Sequence, residues 1–278
     1  MTWARAGDLH VWRRVILCAD DFALSPGVSA AIADLIERGR LTAASCMTTL
    51  PNWRADSALL GSLGGRADLG LHLTFTDHAP LAALPRLAPA GRFPSAPTFA
   101  SWAFSGRLDA GEIRAEIGRQ LDAFESALGR APDYVDGHHH VHIYPVVGEV
   151  LLEVLAERYA GQALYVRSLR ERVSRVWRRG VGRREALYLA ALGQRFATRL
   201  AARGFAHNDS FAGLYPLTRP RDYAKVFPRF FLGAGQRHLI ACHPGRADDT
   251  LRARDPVVEQ REAEYAFLAS DACALTLL

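Results

Sequence analysis

The chain contains four cysteines, and none belongs to a CxxC pair. That spacing excludes a zinc knuckle and a dithiol redox motif. Three of the four lie in apolar, strand-like runs, where a free thiol packs as a small hydrophobe. No apolar run reaches the roughly 18 residues that a membrane-spanning helix needs. The N-terminal segment has no apolar signal core, so the cytoplasm is the expected location. Lysine is almost missing: Lys225 is the only one among 34 basic residues. An arginine bias of this kind fits a GC-rich coding sequence. The net charge of +5 permits anionic partners without identifying one. Internal repeats, low-complexity tracts and domain-splitting linkers are also missing. One domain spanning residues 1–278 is therefore expected.

Hydrophobic content of 49% and charged content of 23% are those of a globular protein with a sizeable core. Strand-like and helical patterns alternate along the chain. After a ragged lead-in of 12 or so residues, strands are expected at 13–19, 42–49, 68–74, through the histidine cluster, at 163–167, 237–243 and 274–278. Ser25-Pro26 is a helix start, with serine as cap and proline in the first turn. Further helices are expected at 112–128, 146–159, 222–232 and 255–270. Residues 78–107, rich in Pro, Gly, Ala and Ser, form a long irregular excursion of the kind that makes binding loops. Residues 168–203 are a basic helical insertion, and 204–215 a connection. This alternation implies a parallel sheet covered by helices, either a barrel or an open sheet.

Four of the ten histidines fall within five positions, at His138, His139, His140 and His142. On a strand, His138, His140 and His142 share one face with Asp136, and His139 points the other way. Neutral imidazoles beside a carboxylate suit a metal ion. A second signal closes the first strand, where Asp20 and Asp21 are adjacent. Two buried neighbouring carboxylates repel unless a cation lies close. Asp20-Asp21, His72, His138 and His243 all stand at ends of expected strands, where α/β barrels keep their chemistry.

Ala19-Asp20-Asp21-Phe22, Gly70-Leu71-His72-Leu73, Asp136-Gly137-His138-His139-His140-Val141-His142 and Cys242-His243-Pro244-Gly245 together resemble the YdjC-type carbohydrate deacetylases. That family includes chitooligosaccharide deacetylases and a relative associated with hopanoid biosynthesis. The blocks keep the family's order from residue 19 to 245. The resemblance implies an α/β fold, a distorted β/α barrel of the TIM-barrel type. It implies a metal-dependent hydrolase that removes acetyl groups from N-acetylated amino sugars, free or lipid-linked. One divalent ion, zinc or magnesium, would sit on Asp21, His72 and His138. Asp20 would match the catalytic base, and His243 is a candidate acid. Asp136 can orient an imidazole, while His140, His142 and Arg167 can support the site or touch substrate. The family usually has glycine after Asp-Asp-Phe, whereas this chain has Ala23; if that position needs a positive φ, alanine fits poorly.

Two other readings compete. One is another metal-dependent hydrolase on the same barrel, such as a phosphoesterase, which usually needs further bridging carboxylates. The other is a catalytically silent carbohydrate- or lipid-binding protein, against which both retained aspartates argue. Between Arg167 and Arg184 eight arginines are opposed only by Glu171, with Trp177 among them. This stretch is either a solvated face or a peripheral contact with an anionic membrane. Nucleic acid is not expected as a partner, because no recognised motif accompanies the charge. The substrate is expected to be the acetylated amino sugar. Neither the sugar's identity nor the oligomeric state is legible.

Overall fold

Among the described residues, seven parallel strands form one curled sheet in the order β5-β4-β3-β2-β1-β7-β6. The structure, a computed structural model, describes residues 14–218 and 222–273. The strands are β1 (Arg14–Phe22), β2 (Ala43–Cys46), β3 (Asp68–Leu73), β4 (Tyr134–Gly137), β5 (Tyr165–Val166), β6 (Ser210–Ala212) and β7 (Arg237–Cys242). The helices are α1 (Pro26–Glu37), α2 (Trp53–Gly61), α3 (Ala96–Phe104), α4 (Ala110–Leu128), α5 (Val147–Arg158), α6 (Val173–Arg179), α7 (Arg183–Ala202), α8 (Tyr223–Phe230), α9 (Asp249–Arg254) and α10 (Glu259–Ala269). The expected lead-in and the expected strand at 274–278 lie outside the described residues.

Local signals explain several boundaries. Ser25 accepts a hydrogen bond from the Val28 amide, and Pro26 opens α1. Asp109 caps α4 through the Glu112 amide, and Gly129, at φ 68°, ends it. The apolar stripe of α4 buries Ile113, Ile117, Leu121 and Phe124, each worth about 1.5–3 kcal/mol of transfer free energy. Most of the buried apolar side chains form one continuous cluster.

The seam between the edge strands β5 and β6 carries a single backbone bridge, Tyr165 with Ala206. Asn208 does the rest. Its fully buried amide accepts from the Ser168 N–H at 2.7 Å and donates to the carbonyls of Ser168 and Ser210, at 2.7 and 3.0 Å. A side chain thus replaces a backbone ladder where β5 is only two residues long.

Three expectations need correction. The irregular excursion at 78–107 contains α3, and the connection at 204–215 contains β6. The histidine cluster is not a strand. β4 ends at Gly137, and His138–Ile143 is a tight helical turn with His139 and His140 at φ 50° and 59°. A Cβ on Gly137 would lie 2.9 Å from Val141 and 3.1 Å from the His142 ring, so glycine is what lets the chain turn there.

Candidate active site

The site lies at the carboxyl ends of the parallel strands. β1 supplies Asp20 and Asp21. Adjacent residues on a regular strand face opposite ways. Here the register with β2 shifts between Ala19 and Phe22, and Asp21 takes φ 69°. That irregularity brings both carboxylates into the wall of one cavity. The strain continues at Ala23, at φ 74°, whose amide donates to Ser29 Oγ at 3.0 Å.

His72 and Asp136 are register partners on β3 and β4. Their side chains meet at 2.6 Å between Nδ1 and Oδ1. With its Nδ1 proton given to Asp136, His72 turns the Nε2 lone pair towards Asp21 Oδ1, 3.3 Å away. His138 Nδ1 lies 2.9 Å from the same oxygen. The other oxygen of Asp21 is held by Arg261 at 2.6 Å, and Arg261 also pairs with Asp255 at 2.6 Å. Oδ1 is therefore the free donor of Asp21. One donor atom from each of Asp21, His72 and His138 lies within 4.8 Å of the others. An ion bonded to each at about 2.0–2.2 Å sets its ligands about 3–3.5 Å apart, so the two short spacings fit one shared ion.

Asp20 is gripped by Arg167, with Nη1 to Oδ2 at 2.7 Å and Nη2 to Oδ1 at 2.6 Å. The same Nη2 lies 2.5 Å from Asp136 Oδ2. Ser45 donates to Asp136 at 2.7 Å, and its oxygen lies 2.8 Å from the Tyr134 hydroxyl. Tyr134 reaches that point by lying over Gly70, where a Cβ would sit 2.3 Å from its ring. His243 follows β7, with Nε2 4.0 Å from Asp20 Oδ2. Its backbone N–H donates to Glu264 Oε2 at 2.6 Å.

Charge states follow from this arrangement. Burial opposes ionisation of Asp20, but the Arg167 guanidinium overrides it and holds the carboxyl well below the usual range. Burial likewise opposes the Asp21 anion, and Arg261 and His138 outweigh it. Burial alone would push the His72 pKa down; Asp136 and Asp21 raise it to about 10. A proton or a metal ion is thus strongly favoured between His72 and the carboxylates.

These groups line a cavity of about 460 Å³. Its other walls come from α3 (Ala96, Pro97, Ala100), from α7 (Glu185, Tyr188, Leu189), and from Tyr144, Tyr215 and Leu217. The excursion at 78–107 and the basic segment 168–203 therefore both reach the site.

The profile of the YdjC-like protein family matches residues 14–277. The chain belongs to this family. It is 30% identical over 257 residues to a carbohydrate deacetylase of Geobacillus stearothermophilus, covering 92% of this chain and 89% of that one. It is 31% identical over 165 residues to a chitooligosaccharide deacetylase of Serratia marcescens, covering 58% of this chain and 61% of that one. A solved Enterococcus faecalis protein, provisionally named for cellobiose-phosphate cleavage, shares the fold at a TM-score of 0.70, with 21% identity and 95% of each chain covered.

Within this YdjC-like fold the sequence-derived residues take different positions. Asp20, Asp21, His72, His138, His140 and His243 line the cavity. His139, expected on the opposite face, lines it too: its ring lies 3.9 Å from that of His138, and its Nδ1 lies 2.8 Å from Thr76 Oγ1. His142, expected to share a face with His138, lies underneath and donates from Nε2 to the Arg167 carbonyl at 3.0 Å. Asp136 and Arg167 are fully buried behind the cavity wall. Arg167 is therefore no substrate contact; it acts on Asp20 and Asp136.

Sequence reading missed Arg261, Asp255 and Glu264, which approach from α10 and the turn before it, and gave no role to His78, whose ring centroid lies 5.8 Å from that of His138. Nothing in their local sequence separates them from surface charges or core histidines.

Proposed function

We propose that the protein is a metal-dependent N-deacetylase acting on an acetylated amino sugar. The observation that carries this reading is the convergence of Asp21 Oδ1, His72 Nε2 and His138 Nδ1 beside an Asp20 held anionic by Arg167. The names of the Geobacillus and Serratia relatives support the amide substrate. Two imidazoles and one carboxylate suit zinc, and magnesium is also compatible with the reading. When bound there, a divalent ion supplies Lewis-acid chemistry, polarising an acyl oxygen and making water more acidic.

The chain's own groups do the rest. Asp20 is a proton acceptor that stays charged near neutrality, and it removes the proton from the attacking water. His243 returns a proton to the leaving amine nitrogen. Asp136 keeps the proton of His72 on Nδ1, so that Nε2 remains a donor of electrons. The apolar wall from α3 and α7 packs against the sugar and limits access of bulk water.

The phosphoesterase reading loses ground to one observation. Cys18, Asp20 and Asp136 form a second potential ligand group, but Arg167 already lies among them, 3.1 Å from Cys18 Sγ. A two-metal centre has no room there. Acetate release from a panel of N-acetylated sugars, with and without added divalent ions, tests the proposal. Metal-dependent release that disappears in His138→Ala, together with the bound metal, supports it. Stoichiometric metal binding with no acetate released from any sugar or glycolipid overturns it.

A further inference from the structure

The basic segment behind the cavity separates into two kinds of arginine. Arg179 and Arg175 turn inward and pair with Glu171, at 2.7 and 3.3 Å, and Arg179 also donates to the Phe211 carbonyl at 2.7 Å. Arg170, Arg172, Arg178, Arg183 and Arg184 are exposed, and none has a carboxylate partner among the described residues. Glu171, the only acid between Arg167 and Arg184, is thus engaged by the buried Arg179 and the half-buried Arg175. The exposed ones carry uncompensated charge.

The same surface is apolar where a solvated helix would be polar. Val173 and Trp177 stand one helical turn apart on α6, 58% and 55% exposed. The Arg183 guanidinium lies 4.7 Å above the indole ring. One exposed apolar side chain is ordinary. An exposed valine and tryptophan one turn apart, with a guanidinium stacked on the indole and further exposed arginines on the same segment, suit a surface that is both apolar and anionic. An indole with an aliphatic neighbour partitions into the headgroup boundary of a bilayer, while arginines bind anionic headgroups. A nucleic acid would take the charge and stack on the indole, but it offers Val173 nothing.

We propose that the outer face of α6, with the first turn of α7, is a docking surface for an anionic lipid bilayer. The first turn of α7 itself carries Glu185 into the cavity wall, and the next turn adds Tyr188 and Leu189. The docking face therefore runs to the edge of the cavity, and a bilayer bound there lies beside its opening.

The test uses the full chain, with vesicles of phosphatidylcholine plus phosphatidylglycerol and vesicles of phosphatidylcholine alone. Cosedimentation at low salt is expected with the mixed vesicles only, and added salt should release the protein, because exposed charges are screened. In the variant carrying Arg178→Gln, Arg183→Gln and Arg184→Gln, each lost arginine should lower the partition about fivefold. Trp177→Ser should weaken binding at every salt concentration. All four side chains are exposed, so circular dichroism and the wild-type level of acetate release should be unchanged. Absence of binding to the mixed vesicles at low salt overturns the proposal. So does equal binding to both vesicle types, or a triple variant that binds like the parent. A preference for a duplex DNA oligonucleotide over the mixed vesicles would assign the surface to nucleic acid instead.

Discussion

Arg167 joins Asp20 to Asp136: one guanidinium nitrogen lies 2.6 Å from the first and 2.5 Å from the second. A single buried cation thus positions the proposed base and, through Asp136, the His72 ligand. Lysine cannot reproduce that geometry, because its ammonium is a point charge without a planar fork. Arg167→Lys should keep its metal by elemental analysis but lose acetate release by about 10²-fold or more, the scale of a misplaced acid–base group. Asp20→Asn should behave the same way. Wild-type activity in Arg167→Lys would show that Asp20 does not depend on the fork. Arg167→Ala leaves the buried Asp20 without its cation and Asp136 with only His72 and Ser45, and should lower stability by about 3–5 kcal/mol in urea unfolding.

Asp136 touches the proposed metal site only through His72. Asp136→Asn keeps the shape but weakens the acceptor and the charge that orient the imidazole. Metal affinity should fall about 10–100-fold, read by competition with a chelating dye. An unchanged affinity would mean that the His72 ring is held by packing alone.

Ala23 sits at φ 74°, where an L-residue pays about 1–2 kcal/mol. Glycine at this position relieves that strain and leaves a void the size of one methyl group. The net result expected for Ala23→Gly is a modest rise in stability, of the order of 0.5–1 kcal/mol, seen as a higher Tm. A lower Tm would mean that packing of the buried Ala23 methyl outweighs the backbone strain.

His238 provides a pH dependence away from the site. It is fully buried, with Nδ1 2.7 Å from Ser210 Oγ and Nε2 donating to the Phe230 carbonyl at 3.0 Å. Burial lowers its pKa from the ordinary 6.5 to about 4. Below about pH 6.5 the unfolded chain takes up a proton that the folded chain refuses. The stabilisation from His238 is therefore complete above that pH and is lost as the pH falls towards 4, by at most about 3 kcal/mol. His238→Gln should flatten the fall of Tm between pH 6.5 and 4, whatever its effect at pH 7.5. An identical slope in the variant would assign the acid sensitivity to the other buried histidines.

The amino-acid order by itself determined the alternation of strands and helices, because apolar period and cap residues act over one or two turns. It also set which chemical groups stand at strand ends: Asp20, Asp21, His72 and His243 need only the end of their own strand to be located. Where the chain leaves β4 was beyond it. Four histidines and an alternating pattern looked like a strand, but Gly137 and two positive φ angles turn the backbone after Asp136, so the parity of His139 and His142 was lost. Partners across the fold were equally hidden. Arg167 meets Asp20 across 147 residues, and Arg261 meets Asp21 across 240. No local pattern distinguishes those two arginines from the exposed Arg178 or Arg184. Burial decides it, since a guanidinium withdrawn from water is stable only against a carboxylate, and only the curled sheet brings the two together.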